Sequence, residues 1–365
     1  MSPKVLITGA AGYIGGSILA DFLSHCDTLF KKENISAAVR SEKQAEAISK
    51  LGINVFQLDL SDESAVVESL LRHDISIVIQ CTTCINPAPA LNLITALGKR
   101  REANGGETYF VHTSGLSAFF ASCGWPHGEI KDTDSVFDLE KEAADSFPVR
   151  QTDVAIIEHA QSREVTSFLV FPTLVYGRGK GEWNKLSVQL PAYVRASISD
   201  KVVHKFADNT RVSAIHISDL TAFYRQLVKK ILRKETLPSG KEGYYFALAH
   251  DFNWLEALDQ MAVSLKSRGL LDSSKTQIWP SDEVAGASLK FPAQYVQALW
   301  NSGAKAIAEN KHKLGWVPAW DEKKFLESMD EEIQDVLEFG ERKSSFNDSV
   351  ANLAQSYPNQ SSIES

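Results

Sequence analysis

Cysteine is scarce in this sequence. Four residues (Cys26, Cys81, Cys84, Cys123) scattered through 365 do not make the disulfide framework of a small secreted scaffold. That usage suits a reducing compartment, and a cytoplasmic location is expected. Long apolar runs are missing as well: none approaches the roughly 20 residues that cross a bilayer. The first apolar run, VLIT after Lys4, leads into glycines and not into a signal-peptide core. Excess positive charge is also absent. With 38 basic against 46 acidic residues the formal net charge is −8, so no nucleic-acid or membrane partner is expected. Glycine (21) and proline (12) are too few for a collagen-like or low-complexity chain. What remains is 44% hydrophobic, an ordinary globular composition long enough for two domains or one large α/β core with an appendage.

Short β-branched runs alternate with helical stretches through the first half: 5–8, 35–39, 53–57, 75–80, 108–112 and 166–171. That order is the signature of βαβ units, and hence of a parallel sheet covered on both faces. Further strands are expected at 212–217 and 244–249, with a helix between them from 219 to about 232. Helices at 183–199, 253–268, 292–300, 303–313 and 322–340 read as a smaller, mostly helical lobe. Trp254, Trp279, Phe291, Trp300 and Trp316 fall largely in that lobe, as pocket walls or as core.

The strongest local signal is TGAAGYIGG, in which Gly9, Gly12 and Gly15 follow the first strand and open the first helix. Gly9 permits a tight turn, Gly12 lets backbone approach a pyrophosphate, and Gly15 lets helix and strand pack closely. The free N–H groups and positive dipole end of the helix then hold the phosphates. At the end of the second strand, where an acid would bind a free 2′-hydroxyl, the sequence offers Arg40 and Ser41. A guanidinium and a hydroxyl suit a 2′-phosphate, so NADP(H) is preferred over NAD(H). Asp59 is placed to touch the adenine edge. The same crevice is expected to use Thr8, Tyr13, Ile14 and Leu60, Cys81, Thr82 and Thr83 after the fourth strand, and Pro172 and Thr173 after the sixth.

Taken with VFPTLVYGRGKG (170–181) and IHISDLTAFY (215–224), these residues resemble the extended short-chain dehydrogenase/reductases, in particular their NAD-dependent epimerase/dehydratase-like members. The resemblance covers about residues 4–250. It implies an α/β fold: a Rossmann doubly wound parallel sheet with a smaller, mostly helical C-terminal substrate lobe. The expected division is 1–182 with 210–250 for the nucleotide domain, 183–209 with 251–343 for the lobe, and a polar tail at 344–365. The resemblance also implies a Ser or Thr after the fifth strand, matched by Ser114, and a Tyr-x-x-x-Lys on the next helix. That motif is missing: Val149 and Asp153 stand at its two positions. Tyr176 to Lys180 has the spacing but lies in a glycine-containing turn and is rejected as the pair. Ser114, Tyr176 as a replacement acid, and Asp153 with Arg150 as a substituted acid/base pair are the catalytic candidates. Arg150 and Asp153 read equally as a surface ion pair.

Cys81 and Cys84 form a C-x-x-C, but no second ligand pair accompanies it and no metal is expected. His112 reads as a core histidine, and Trp125, His127 and Glu129 as surface-loop residues or substrate contacts. The expected activity is an NADP(H)-dependent oxidoreductase, a reductase or dehydrogenase acting on a small carbonyl or secondary alcohol. A redox-neutral isomerase, dehydratase, cyclase or aldolase, and a non-catalytic NADP(H) sensor like the NmrA-type regulators, remain open beside it. A small-molecule substrate is the expected partner, and a homodimer is compatible with the sequence.

Overall fold

The computed structural model describes residues 3–28 and 30–340; the tail expected at 344–365 lies outside them. The chain begins with β1 (Val5–Thr8), α1 (Tyr13–Ser24), β2 (Ile35–Val39), α2 (Glu42–Ser49), β3 (Asn54–Gln57), α3 (Glu63–His73), β4 (Ile77–Gln80), α4 (Ala88–Asn104) and β5 (Tyr109–Thr113). Then come β6 (Ile130–Lys131), α5 (Val136–Glu142), α6 (Pro148–Ser162), β7 (Thr166–Pro172), β8 (Leu174–Tyr176), α7 (Gln189–Asp200), β9 (His204–Lys205), β10 (Arg211–His216) and α8 (Ile217–Leu232). The last part holds β11 (Tyr244–Ala247), β12 (His250–Asn253), α9 (Trp254–Ser267), β13 (Gln277–Ile278), α10 (Asp282–Leu289), α11 (Val296–Trp300), β14 (Ala306–Ile307), α12 (Asn310–Leu314), α13 (Glu322–Glu327) and α14 (Met329–Phe339).

Seven parallel strands form the main sheet in the order β11-β7-β5-β4-β1-β2-β3. The order reverses between β1 and β4, which opens a crevice outside their carboxyl ends, where doubly wound sheets bind ligands. Both faces are covered, so β1 and β4 are buried at every position. One face packs on α1 and α8 around Ile18, Phe22, Phe223 and Leu227; the other packs on α3, α4 and α6 around Leu70, Leu93, Leu97 and Ile157.

The strand expected at 212–217 does not join this sheet. β10 lies between β8 and β12 in a three-stranded sheet that carries a separate cluster of apolar residues. Thr173 alone separates β7 from β8, so the chain leaves one sheet and enters the other across a single residue. Trp254, Trp279, Phe291 and Trp300 are core of this second cluster, while Trp316 packs on Phe223 under the main sheet. The helix expected from 183 starts at Gln189, because Asn184 folds its side chain onto the backbone of Leu186 and holds a turn there. The segment 303–313 is not one helix: β14 pairs with β6, and only α12 is helical. Among the described residues no helix is long and apolar enough to cross a membrane.

Candidate functional site

Gly9 has φ +67°, and a Cβ there would lie 2.5 Å from the Cys81 carbonyl oxygen, so only glycine makes this turn beside β4. A Cβ on Gly15 would sit 2.4 Å from the Gly9 carbonyl oxygen, which fixes the closeness of helix and loop. Gly12 differs: its Cβ would meet only the Gly9 oxygen, at 3.0 Å, and otherwise face the crevice. No side chain caps α1 and no acid stands in its first turn, so its positive end is left open to an anion. Thr8, at the end of β1, has a buried hydroxyl oxygen with no hydrogen-bond partner. These residues fit a dinucleotide pyrophosphate.

Arg40 ends β2 and is exposed; its charge reaches Asp59, whose carboxyl is held below its usual range chiefly by the Ser61 N–H and hydroxyl. Ser41 caps α2, accepting from the Gln44 N–H at 3.4 Å while Gln44 reaches back to the Ser41 N–H. Leu60 gives its carbonyl to Asn92. Across the crevice, Gln80 Nε2 donates to Thr82 Oγ1 and to the Thr83 carbonyl, and the Cys81 thiol meets Thr113 Oγ1 at 3.1 Å. Burial pushes the Cys81 and Cys84 thiols up to about 12, so neither is a thiolate near neutrality.

Ser114 follows β5 and donates its hydroxyl to Asp153 Oδ2 at 2.6 Å. Asp153 and Arg150 are fully buried, which overturns the surface ion pair. Arg150 instead donates to the carbonyls of Ala118, Cys123 and Ala143, binding α6 to the loop after β5. Trp125 packs edge-on against Phe119 in the core, His127 is half-buried and Glu129 exposed. Asp132 in that loop accepts from the N–H groups of Glu309, Asn310 and Phe246, which pins the loop to both β11 and α12.

Residues 5–100 match the family model of the saccharopine dehydrogenase NADP binding domain. No curated protein matches the chain. Among solved structures it is similar to UDP-glucose 4-epimerase from Thermotoga maritima with UDP-glucose, at 12% identity and TM-score 0.61, covering 92% of this chain and 99% of that one. L-threonine dehydrogenase from Clostridium difficile is 14% identical at TM-score 0.61, covering 92% and 98%. Yeast methylglyoxal/isovaleraldehyde reductase complexed with NADPH is 14% identical at TM-score 0.58, covering 92% and 99%. The chain has the Rossmann α/β fold of these enzymes.

Within that fold Tyr176 is not a crevice residue, and its candidacy as replacement acid is corrected. It is fully buried in the second cluster against Phe325, Trp320 and His216, with its hydroxyl 3.0 Å from His250 Nε2. Burial, then the charge of Asp219, pushes its phenol far above the usual range. The glycines after it serve packing. Gly177 has φ +90°, and Gly179 and Gly181 let this loop pass over the Tyr13 ring and the Gly16 backbone of α1. Tyr13 donates its hydroxyl to the Gly177 carbonyl at 2.6 Å, and the Lys180 N–H reaches Ser17 Oγ at 3.1 Å. His216 caps α8, and Asp219 accepts the N–H groups of Ala319 and Trp320.

The other side of this loop rests on a residue whose role only the fold reveals. Glu332 of α14 is buried and accepts the Gly177 N–H at 2.5 Å. Burial first, then the nearby Asp335 and Glu331, pushes its carboxyl up to about 8. The folded value lies above the unfolded one, so the stability it brings is complete below the ordinary glutamate range and is lost as pH rises through about 8. Glu332→Gln keeps an acceptor for Gly177 and cannot ionise. Its melting temperature is expected to fall less than that of the wild type between roughly pH 6 and 9; parallel melting curves would refute the assignment.

Proposed function

We propose that the protein is a cytosolic NADP(H)-dependent reductase or dehydrogenase acting on a small carbonyl or secondary alcohol. The observation that carries this reading is the Ser114 hydroxyl, held at 2.6 Å on a buried carboxylate just after β5, in a fold whose first helix leaves its N-terminus uncapped. A hydroxyl backed by an ionisable group, in a fold that also carries a phosphate cradle, suits proton exchange with a substrate oxygen. The bound nicotinamide supplies or removes the hydride. Ser114 orients the substrate oxygen.

NADP(H) is favoured because Arg40 and Ser41 follow β2, where an acid would bind a free 2′-hydroxyl. Arg40→Ala is expected to weaken NADPH about 10-fold and NADH less than about twofold in a fluorescence titration; an unchanged ratio would remove the preference. Turnover is tested by NADPH absorbance during incubation with short-chain ketones and aldehydes. Tight NADPH binding with no oxidation by any of them would exclude the reductase reading. A non-catalytic sensor would then stand, a reading favoured by the buried Val149 at the position where the family carries its tyrosine.

A further inference from the structure

Buried carboxylates are costly unless paired or protonated, and two of them meet behind Ser114. Asp153 on α6 and Glu140 on α5 are fully buried where these two helices pack together, and the charge of Asp153 acts on Glu140. Asp153 Oδ2 accepts from Ser114, and Glu140 Oε2 accepts from the Tyr244 hydroxyl at 2.7 Å. Their other oxygens, Asp153 Oδ1 and Glu140 Oε1, have no hydrogen-bond partner. One proton held between the two carboxyls removes that deficit. Burial, and after it the charge of Asp153, pushes the Glu140 carboxyl well above its usual range.

The groups around the pair are arranged to keep that proton there. Gln80 spends its amide N–H groups on Thr82 Oγ1 and the Thr83 carbonyl, so its Oε1 accepts from His112 Nδ1 at 2.6 Å. His112 therefore turns Nε2 toward Asp153 Oδ1, 3.4 Å away. Arg150 spends its donors on backbone carbonyls and on Ser146 and makes no hydrogen bond to either carboxyl. Burial keeps the Cys84 thiol and the Tyr244 hydroxyl neutral, and Asp138, farther along α5, reinforces this at Tyr244.

We propose that Ser114, Asp153 and Glu140 form a proton relay to the substrate oxygen, in which Ser114 is the catalytic residue and the two carboxyls act through it. The relay rests on the reductase reading. As hydride arrives at the carbonyl carbon, the carbonyl oxygen takes the Ser114 proton, and the substrate gains the two electrons that the nicotinamide loses. Ser114 recovers a proton from Asp153, which receives the one on Glu140. The alcohol leaves neutral. The doubly charged pair then regains its proton from water through Ser114 after the product has gone.

Infrared difference spectra of the full-length protein at neutral pH, with and without NADPH, read this proton directly. The wild type is expected to show a protonated-carboxyl band that Glu140→Gln lacks and that Tyr244→Phe shifts. A wild type without the band, or a band unmoved in both variants, overturns the relay whether or not the protein reduces carbonyls. If Glu140→Gln does not fold, Tyr244→Phe alone decides, an unmoved band again counting against the relay. With the best carbonyl of the panel, Glu140→Gln and Asp153→Asn are expected to slow NADPH oxidation about 10- to 100-fold and to flatten its pH profile. Unchanged rates and profile overturn the relay while leaving the reductase reading intact. A wild type that oxidises no NADPH fails that reading instead, and the infrared bands still decide where the proton sits.

Discussion

Gly15→Ala is expected to lower NADPH affinity by about 100-fold or more, or about 2.7 kcal/mol. The added methyl would lie 2.4 Å from the Gly9 carbonyl oxygen and 2.8 Å from its carbon, so it meets backbone, and no flexible side chain can move aside. Helix and loop must separate, which costs about 1–3 kcal/mol of stability and turns the helix N–H groups off the phosphates. Gly12→Ala is the informative companion. Its methyl meets a single atom at 3.0 Å and faces the crevice, so the variant is expected to melt near the wild type yet bind NADPH far more weakly. Titration together with thermal melting separates the two effects, and a Gly12→Ala protein that binds NADPH as well as the wild type would show that the phosphates do not lie there.

Ser114→Ala is expected to reduce carbonyl-dependent NADPH oxidation by about 10²- to 10³-fold, within the range typical of a lost acid–base group. NADPH affinity is expected to stay within about twofold, because the hydroxyl points at Asp153 and not at the phosphate loop. The loss should fall on kcat more than on KM, and Ser114→Thr, which keeps a hydroxyl, should recover part of it. Steady-state kinetics on the best substrate of the carbonyl panel decide this. An alanine variant that keeps full turnover would remove Ser114 from the mechanism.

Much of the crevice was legible in the chain itself. The glycines at 9 and 15 can be read because a turn with positive φ at the first and a backbone-to-backbone contact at the second leave no room for another residue. The parallel sheet is legible because strands covered on both faces need unbroken apolar runs. Burial, which sequence spacing does not report, removes the surface ion pair at Arg150 and Asp153 and puts Tyr176 in a core. Glu140 escaped notice among Asp138, Glu142 and Asp145. The signal was its place on the stripe of Val136 and Phe137, one helical turn on, where a carboxylate has no water. Glu332 escaped in the same way, in the acidic first turn of α14.

The sequence by itself determined the alternation of strands and helices up to β5, the glycine turn after β1 and the hydroxyl after the fifth strand, since each follows from local periodicity or from the geometry of a few neighbouring residues. Tertiary structure alone decided that β10 leaves the main sheet, that Tyr176 belongs to a core, and that Ser114, Asp153 and Glu140 meet. Those outcomes depend on contacts between residues 13 to 39 positions apart or more, and on which charges lose their water when helices α5 and α6 close over β5.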